Sequence, residues 1–119
     1  MGFKGDKTKP LYMISVVSKM LEVHPQTIRM YEREGFICPH RINRQRLYSE
    51  EDLETLNLVV QLTKELGVNK AGVDIILRMR QRIMLLQKEL EEMLNYLDGD
   101  VKIRFQKRLS EIMTNSEEV

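Results

Sequence analysis

The chain has 119 residues, of which 42% are apolar, 31% charged and 6% aromatic, a size and balance that suit one small domain with an appendage and exclude a large catalytic fold. Nineteen basic side chains stand against 18 acidic ones, which by itself argues against a dedicated polyanion binder. That average hides a split: residues 1–48 carry nine basic and four acidic groups, net +5, and residues 49–119 carry ten and 14, net −4, so a basic head suited to phosphate precedes an acidic body.

Residues 1–10, rich in Gly and Lys and closed by Pro10, read as a flexible N-terminal arm in which Lys4, Lys7 and Lys9 add loose phosphate attraction. Ser15 is the expected N-cap of a short helix whose apolar stripe is Val16, Val17, Met20 and Leu21, ending near Glu22-Val23. His24-Pro25 starts a second helix with proline at its first position; Ile28 and Tyr31, with Met30 beside them, face inward, and Gly35 stops it. Two short helices about three residues apart form a helix-turn-helix pattern. Its outward face carries Gln26, Thr27, Arg29 and Arg33.

Pro39 and Asn43 disfavour helix over residues 40–48, and Ile42, Leu47 and Tyr48 allow a short β-hairpin or an extended wing. Ser49 opens the next helix with a capping box in which Asp52 replaces the usual Glu or Gln. Leu53, Leu56, Val59, Val60 and Leu62 give that helix its apolar side, and Gly67 ends it. Asn69 caps an amphipathic segment from Lys70 to Leu77. Downstream, Ile76, Met79, Ile83, Leu86, Leu90, Met93 and Leu97 are separated by 3, 4, 3, 4, 3 and 4 residues, a heptad seam. A helix of roughly 20 such residues is about 30 Å long, too long for a small head to cover, so a second chain is the economical partner. Asp98-Gly99-Asp100 breaks the helix. Val101, Phe105, Leu109 and Ile112 then mark a last helix able to pack back on the seam, and residues 114–119 read as an acidic frayed end.

Chemistry follows from what is present. A lone cysteine, Cys38, and two histidines, His24 and His40, exclude an intrachain disulfide and a CxxC zinc site, and no metal or cofactor is expected. No nucleophile pattern or Gly-rich phosphate loop accompanies them, so the chain is not expected to be an enzyme. With no apolar run near about 18 residues and no signal-peptide core in the first ten, a cytoplasmic, nucleoid-associated location with no membrane partner is expected. Polyanion binding is better supported. Arg29 and Arg33, four apart, share a helix face with Gln26 one turn earlier, offering guanidinium forks and an amide to bases or phosphates. Arg41, Arg44 and Arg46 add charge on the next segment, Tyr31 and Tyr48 have hydroxyls able to reach phosphate while their rings pack inward, and Glu32 and Glu34 can pair some of these cations.

The run YMISVVSKMLEVHPQTIRMYEREGFICP, with RLYSEEDLETL and ELGVNKAGVDIIL after it, resembles the MerR-type transcription regulators over residues 12 to about 80. Tyr12 to Val17, His24-Pro25-Gln26-Thr27, the YEREG at 31–35 and GVNKAGVDIIL at 67–77 are most similar to the HspR branch, heat-shock repressors of chaperone genes. The resemblance implies a mainly α fold, a winged helix-turn-helix head followed by a long coiled-coil dimerisation helix that pairs antiparallel. The expected divisions are an arm at 1–10, a DNA-binding domain at 11–78, a coiled-coil helix at 79–98 and a short C-terminal helix and tail at 99–119. Pro25 to Glu34 becomes the recognition helix in the major groove, Arg41 to Tyr48 a wing on the backbone, and Lys64 matches a basic position that meets phosphate. The wing departs from the relatives' P-x-R-T-x-x-G-x-R-x-Y, being one residue shorter and lacking the Gly.

Taken together, the expected DNA-contacting residues are His24, Gln26, Thr27, Arg29, Tyr31, Arg33, Arg41, Arg44, Arg46, Tyr48 and Lys64. Gln26, Thr27 and Arg29 read bases, while Arg41, Arg46, Tyr48 and Lys64 hold phosphates. The seam from Ile76 to Leu97 makes a homodimer that represses by occupying an inverted repeat of double-stranded DNA. By resemblance alone, a DnaK-type chaperone is implied as co-repressor. A metal, redox or drug sensor is disfavoured, since ligand cysteines and a large ligand domain are missing from this sequence. Nitrogen-regulating relatives, similar in a GVN-x-AG segment, are the alternative within the family, and a non-DNA coiled-coil interaction protein is the alternative outside it.

Overall fold

The computed structural model of the chain describes residues 6–115 and divides into two compact units, one ending at Leu77 and the other beginning at Arg78. The first unit holds β1 (Tyr12–Met13), α1 (Ile14–Leu21), α2 (Pro25–Arg33), β2 (His40–Ile42), β3 (Gln45–Tyr48), α3 (Glu50–Val60), a π-helical turn over Gln61–Glu65 and the start of α4 (Lys70–Leu94). The second holds the rest of α4 and α5 (Gly99–Asn115).

A three-stranded antiparallel sheet, in the order β1-β3-β2, pairs Tyr12 with Tyr48 and Met13 with Leu47 on one side of β3. On the other side His40, Arg41 and Ile42 face Leu47, Arg46 and Gln45. Pairing with β3 holds Met13 extended (ψ 156°) and puts it at the N-cap of α1 without a side-chain cap. The cap expected at Ser15 is therefore corrected: Ser15 already lies in the first turn, where its carbonyl accepts a hydrogen bond from Ser18 Oγ at 3.0 Å. Strand pairing, a long-range term, sets this helix start in place of the local capping signal.

Elsewhere the local signals decide. Pro25 occupies the first turn of α2, and Gly35, with φ +84°, lets the chain leave it. Ser49 Oγ accepts from the Asp52 N–H at 3.1 Å while the Ser49 N–H donates to Asp52 Oδ2 at 2.9 Å, completing the capping box of α3. Asn69 Oδ1 accepts from the Gly72 N–H at 2.9 Å and caps α4. The helix expected to run unbroken to Gly67 changes character at Gln61, where five residues form the π turn.

The core of the first unit gathers Val17, Ile28, Tyr31, Phe36, Ile37, Tyr48, Leu53, Leu56, Val59 and Leu62, joined by Val73 from α4. The rings of Tyr31 and Phe36 pack tilted with centroids 6.2 Å apart. Of the expected arm, Lys7 is tied to α3: the Glu51 N–H donates to the Lys7 carbonyl at 3.1 Å, and Lys7 Nζ pairs with Glu54 at 3.4 Å. Lys4 lies outside the described residues, as do residues 116–119 of the acidic end.

In the second unit Met79, Ile83, Leu86, Leu90 and Met93 are all substantially exposed, Leu86 at 63%. Leu97 is not on this helix. α4 stops at Leu94, and backbone bonds from Asn95, Tyr96 and Leu97 to Glu92, Met93 and Leu94 tighten the chain into a turn. Gly99, with φ +57°, begins α5 where the sequence pattern placed a break. Leu90, Met93, Leu97, Phe105, Leu109 and Ile112 line an open apolar groove of about 370 Å³, with Leu94 buried at its base.

Candidate nucleic-acid interface

The N-terminus of α2 is built by His24. Its backbone is extended, and its Nδ1 accepts a hydrogen bond from the Gln26 N–H at 3.0 Å, while Pro25 has no N–H to satisfy. His24, expected to touch DNA, thus spends one ring nitrogen on capping the helix. Gln26 and Arg33 are exposed and Thr27 is half-buried. Arg29 is half-buried too, and its Nε is enclosed without a hydrogen-bond partner.

The wing is a hairpin with a two-residue turn. Asn43 (φ +50°) and Arg44 (φ +67°) are both left-handed, the signature of a type I′ turn, whose twist matches that of the flanking strands. That turn accounts for the shorter wing without glycine, since asparagine tolerates the left-handed region. Arg44 does not share that tolerance. It sits exposed at the tip in a conformation that favours glycine.

Arg41 and Arg46 face each other across β2 and β3, where like charges repel. Glu32, from the last turns of α2, resolves the conflict: its Oε2 accepts from Arg46 Nε at 3.0 Å, and its Oε1 lies 3.7 Å from Arg41 Nη2. Glu32 was expected to pair cations of this region generally, and the structure commits it to the wing. On β2, His40 Nε2 lies 3.8 Å from Asp52 Oδ2 at the start of α3, too far for a hydrogen bond.

Two expected phosphate contacts are corrected by burial. Tyr48 is 0% exposed and its hydroxyl is enclosed without a hydrogen-bond partner. Burial first, and the negative charge of Glu32 second, push its phenol above the ordinary value near 10, against the pull of Arg46 and Arg29. Tyr31 is equally interior, with its hydroxyl 2.9 Å from Thr63 Oγ1, which also donates to the Val59 carbonyl at 2.8 Å. Both rings pack inward as expected, but neither hydroxyl reaches the surface. The π turn places Thr63 against Tyr31 and leaves its neighbour Lys64 exposed. The structure therefore brings Arg41 and Arg46 together with α2 through Glu32, leaves Gln26, Arg33, Arg44 and Lys64 open to solvent, and moves Tyr31 and Tyr48 into the core. The roles of Glu32 and Thr63 carried no specific signal, because each depends on residues 9 to 32 positions away.

Among the described residues no cluster of three or more His, Cys, Asp or Glu could hold a metal ion. None of their helices is long and apolar enough to cross a membrane. The sequence model of the MerR helix-turn-helix regulatory proteins matches residues 12–80. The chain belongs to this family. MerR-family members are DNA-binding transcription regulators rather than enzymes. Similar proteins include heat shock protein HspR of Streptomyces coelicolor, 40% identical over 91 residues, covering 76% of this chain and 60% of the relative. The regulator GlnR of Bacillus anthracis is 29% identical over 87 residues, 72% of this chain and 67% of the relative. The regulator ZntR of Escherichia coli is 33% identical over 73 residues, 59% and 50% respectively. The chain thus spans about 60% of the length of its HspR relative.

Proposed function

We propose that this MerR-family chain is a repressor of heat-shock and chaperone genes that binds an inverted-repeat operator as a homodimer in the cytoplasm, on the nucleoid. The observation that carries this reading is the 40% identity to HspR over 76% of the chain, alongside a helix and hairpin that leave Gln26, Arg33, Arg41, Arg44 and Gln45 exposed. In this reading Gln26, Thr27 and Arg29 meet base edges, and Arg41, Arg44, Arg46 and Lys64 fix the backbone. A DnaK-type chaperone is the co-repressor.

The seam on α4 supports a second copy as partner. Its first half carries Arg78, Arg80 and Arg82 and its second half Glu89, Glu91 and Glu92, so antiparallel pairing sets basic against acidic while parallel pairing opposes like charges. In that pairing Ile83 meets Leu86 of the other copy and Met79 meets Leu90, whereas Ile76, expected in the seam, packs partly against the core of its own first unit. Footprinting on the host's own chaperone promoters tests the reading; protection of an inverted repeat supports it, and protection only at nitrogen-metabolism promoters moves it to the GlnR-like alternative, which the similarity over 87 residues favours second. A monomer or heterodimer without duplex affinity in sedimentation would leave the coiled-coil interaction protein instead.

A further inference from the structure

We propose that Glu32, an acidic residue on the reading helix, is the positioning residue that locks the wing to that helix, so that specific DNA binding depends on a negative charge inside a basic surface. This rests on the DNA-binding reading above and adds to it a residue that charge alone would count as unfavourable.

The carboxylate has one oxygen for each strand of the wing. Oε2 takes Arg46 of β3 at 3.0 Å and Oε1 faces Arg41 of β2 at 3.7 Å. Those arginines are direct cross-strand neighbours, and the only carboxylate recorded against either one among the described residues is Glu32. The Arg46 contact is the stronger, because Arg46 is half-buried, the Glu32 side chain is 20% exposed and the distance is that of a charge-assisted hydrogen bond. Arg41 is 59% exposed at a longer distance and is screened by water. Removing the charge therefore frees two like-charged side chains on adjacent strands and lets the hairpin turn about its base, where Tyr48 and β1 still hold it. Freed arginines still attract phosphate wherever they point. Register between wing and recognition helix is what is lost, and register decides whether backbone contacts and base contacts are made together.

The test separates this from simple electrostatics by its sign. Glu32→Gln keeps the size and an acceptor oxygen but removes the charge. Binding is measured by fluorescence anisotropy to a duplex that the wild-type protein selects from a random library, and to an unrelated duplex of equal length, well below the melting temperature of the variant. The expected result is about tenfold weaker binding to the selected duplex with binding to the unrelated duplex unchanged or tighter. Equal or tighter binding to both overturns the proposal, since that is what loss of one repulsive anion does. Parallel weakening on both also overturns it, as general damage to the fold. In the free protein, the Arg46 Nε–H resonance is expected to be protected from exchange in wild type and exposed in Glu32→Gln. If the wild type selects no duplex, the DNA-binding reading fails, and this resonance alone decides whether Glu32 holds the wing.

Discussion

Replacing Arg44 by glycine should strengthen the fold and weaken DNA binding at once. Arg44 sits at the second central position of the wing turn with φ +67°, where a Cβ costs about 1–2 kcal/mol relative to glycine. Glycine also loosens the unfolded chain, at a cost of roughly 0.5–1 kcal/mol. The difference is a gain of about 0.5–1 kcal/mol, because the substitution leaves an Asn-Gly pair at the centre of the turn, the favoured one for type I′. For a unit of this size such a gain raises the melting temperature by about 3–6 °C, readable by circular dichroism at fixed protein concentration. The side chain is exposed and makes no ion pair or hydrogen bond among the described residues, so no lost contact offsets the gain. If Arg44 meets phosphate in both heads of the dimer, the variant loses two cations from the interface, and the slope of log affinity against log salt becomes shallower by about 1.8. An unchanged or lower melting temperature would refute the strain argument. An unchanged salt slope would refute the phosphate role.

Three further outcomes are expected. Tyr48→Phe removes a buried hydroxyl that has no hydrogen-bond partner, so stability at neutral pH should hold or rise by up to about 1 kcal/mol with DNA affinity unchanged; weakened affinity at full stability would restore a phosphate role for Tyr48. Because the folded phenol ionises above its ordinary value, its contribution is fully present below about pH 10 and declines as pH rises from there through the folded value. Alkaline melting curves of wild type should accordingly fall faster than those of Tyr48→Phe. Thr63→Val should cost about 1–3 kcal/mol by stranding the Tyr31 hydroxyl, more than Tyr31→Phe, which leaves Thr63 bonded to the Val59 carbonyl; denaturant titrations giving the reverse order would count against this account. Leu86→Lys, at an exposed position of the α4 seam, should shift the chain to monomer in sedimentation while the head keeps its melting transition.

Much of the head was legible because its signals are local. Proline at the start of α2, Gly35 after it, the Ser49/Asp52 capping box and Asn69 ahead of α4 each act on a backbone group within a few residues, so reading them needs no knowledge of the fold. The basic character of residues 1–48 and the heptad spacing after Leu77 were equally plain. What the sequence left open depends on residues far apart in the chain. Strand β1 exists because Tyr12 and Met13 find β3 more than thirty positions away, and it moves the start of α1 ahead of Ser15. Burial on all sides turns Tyr31 and Tyr48 from candidate phosphate ligands into core residues, though their composition and spacing are the same in either role. Glu32 is one acid among several until the hairpin brings two arginines to its two oxygens. The charge split along the chain thus settled which end of the protein is basic, by composition alone. Only the tertiary structure decided which of those cations are held by an internal carboxylate and which stand free in solvent, because that depends on which strands and helices meet.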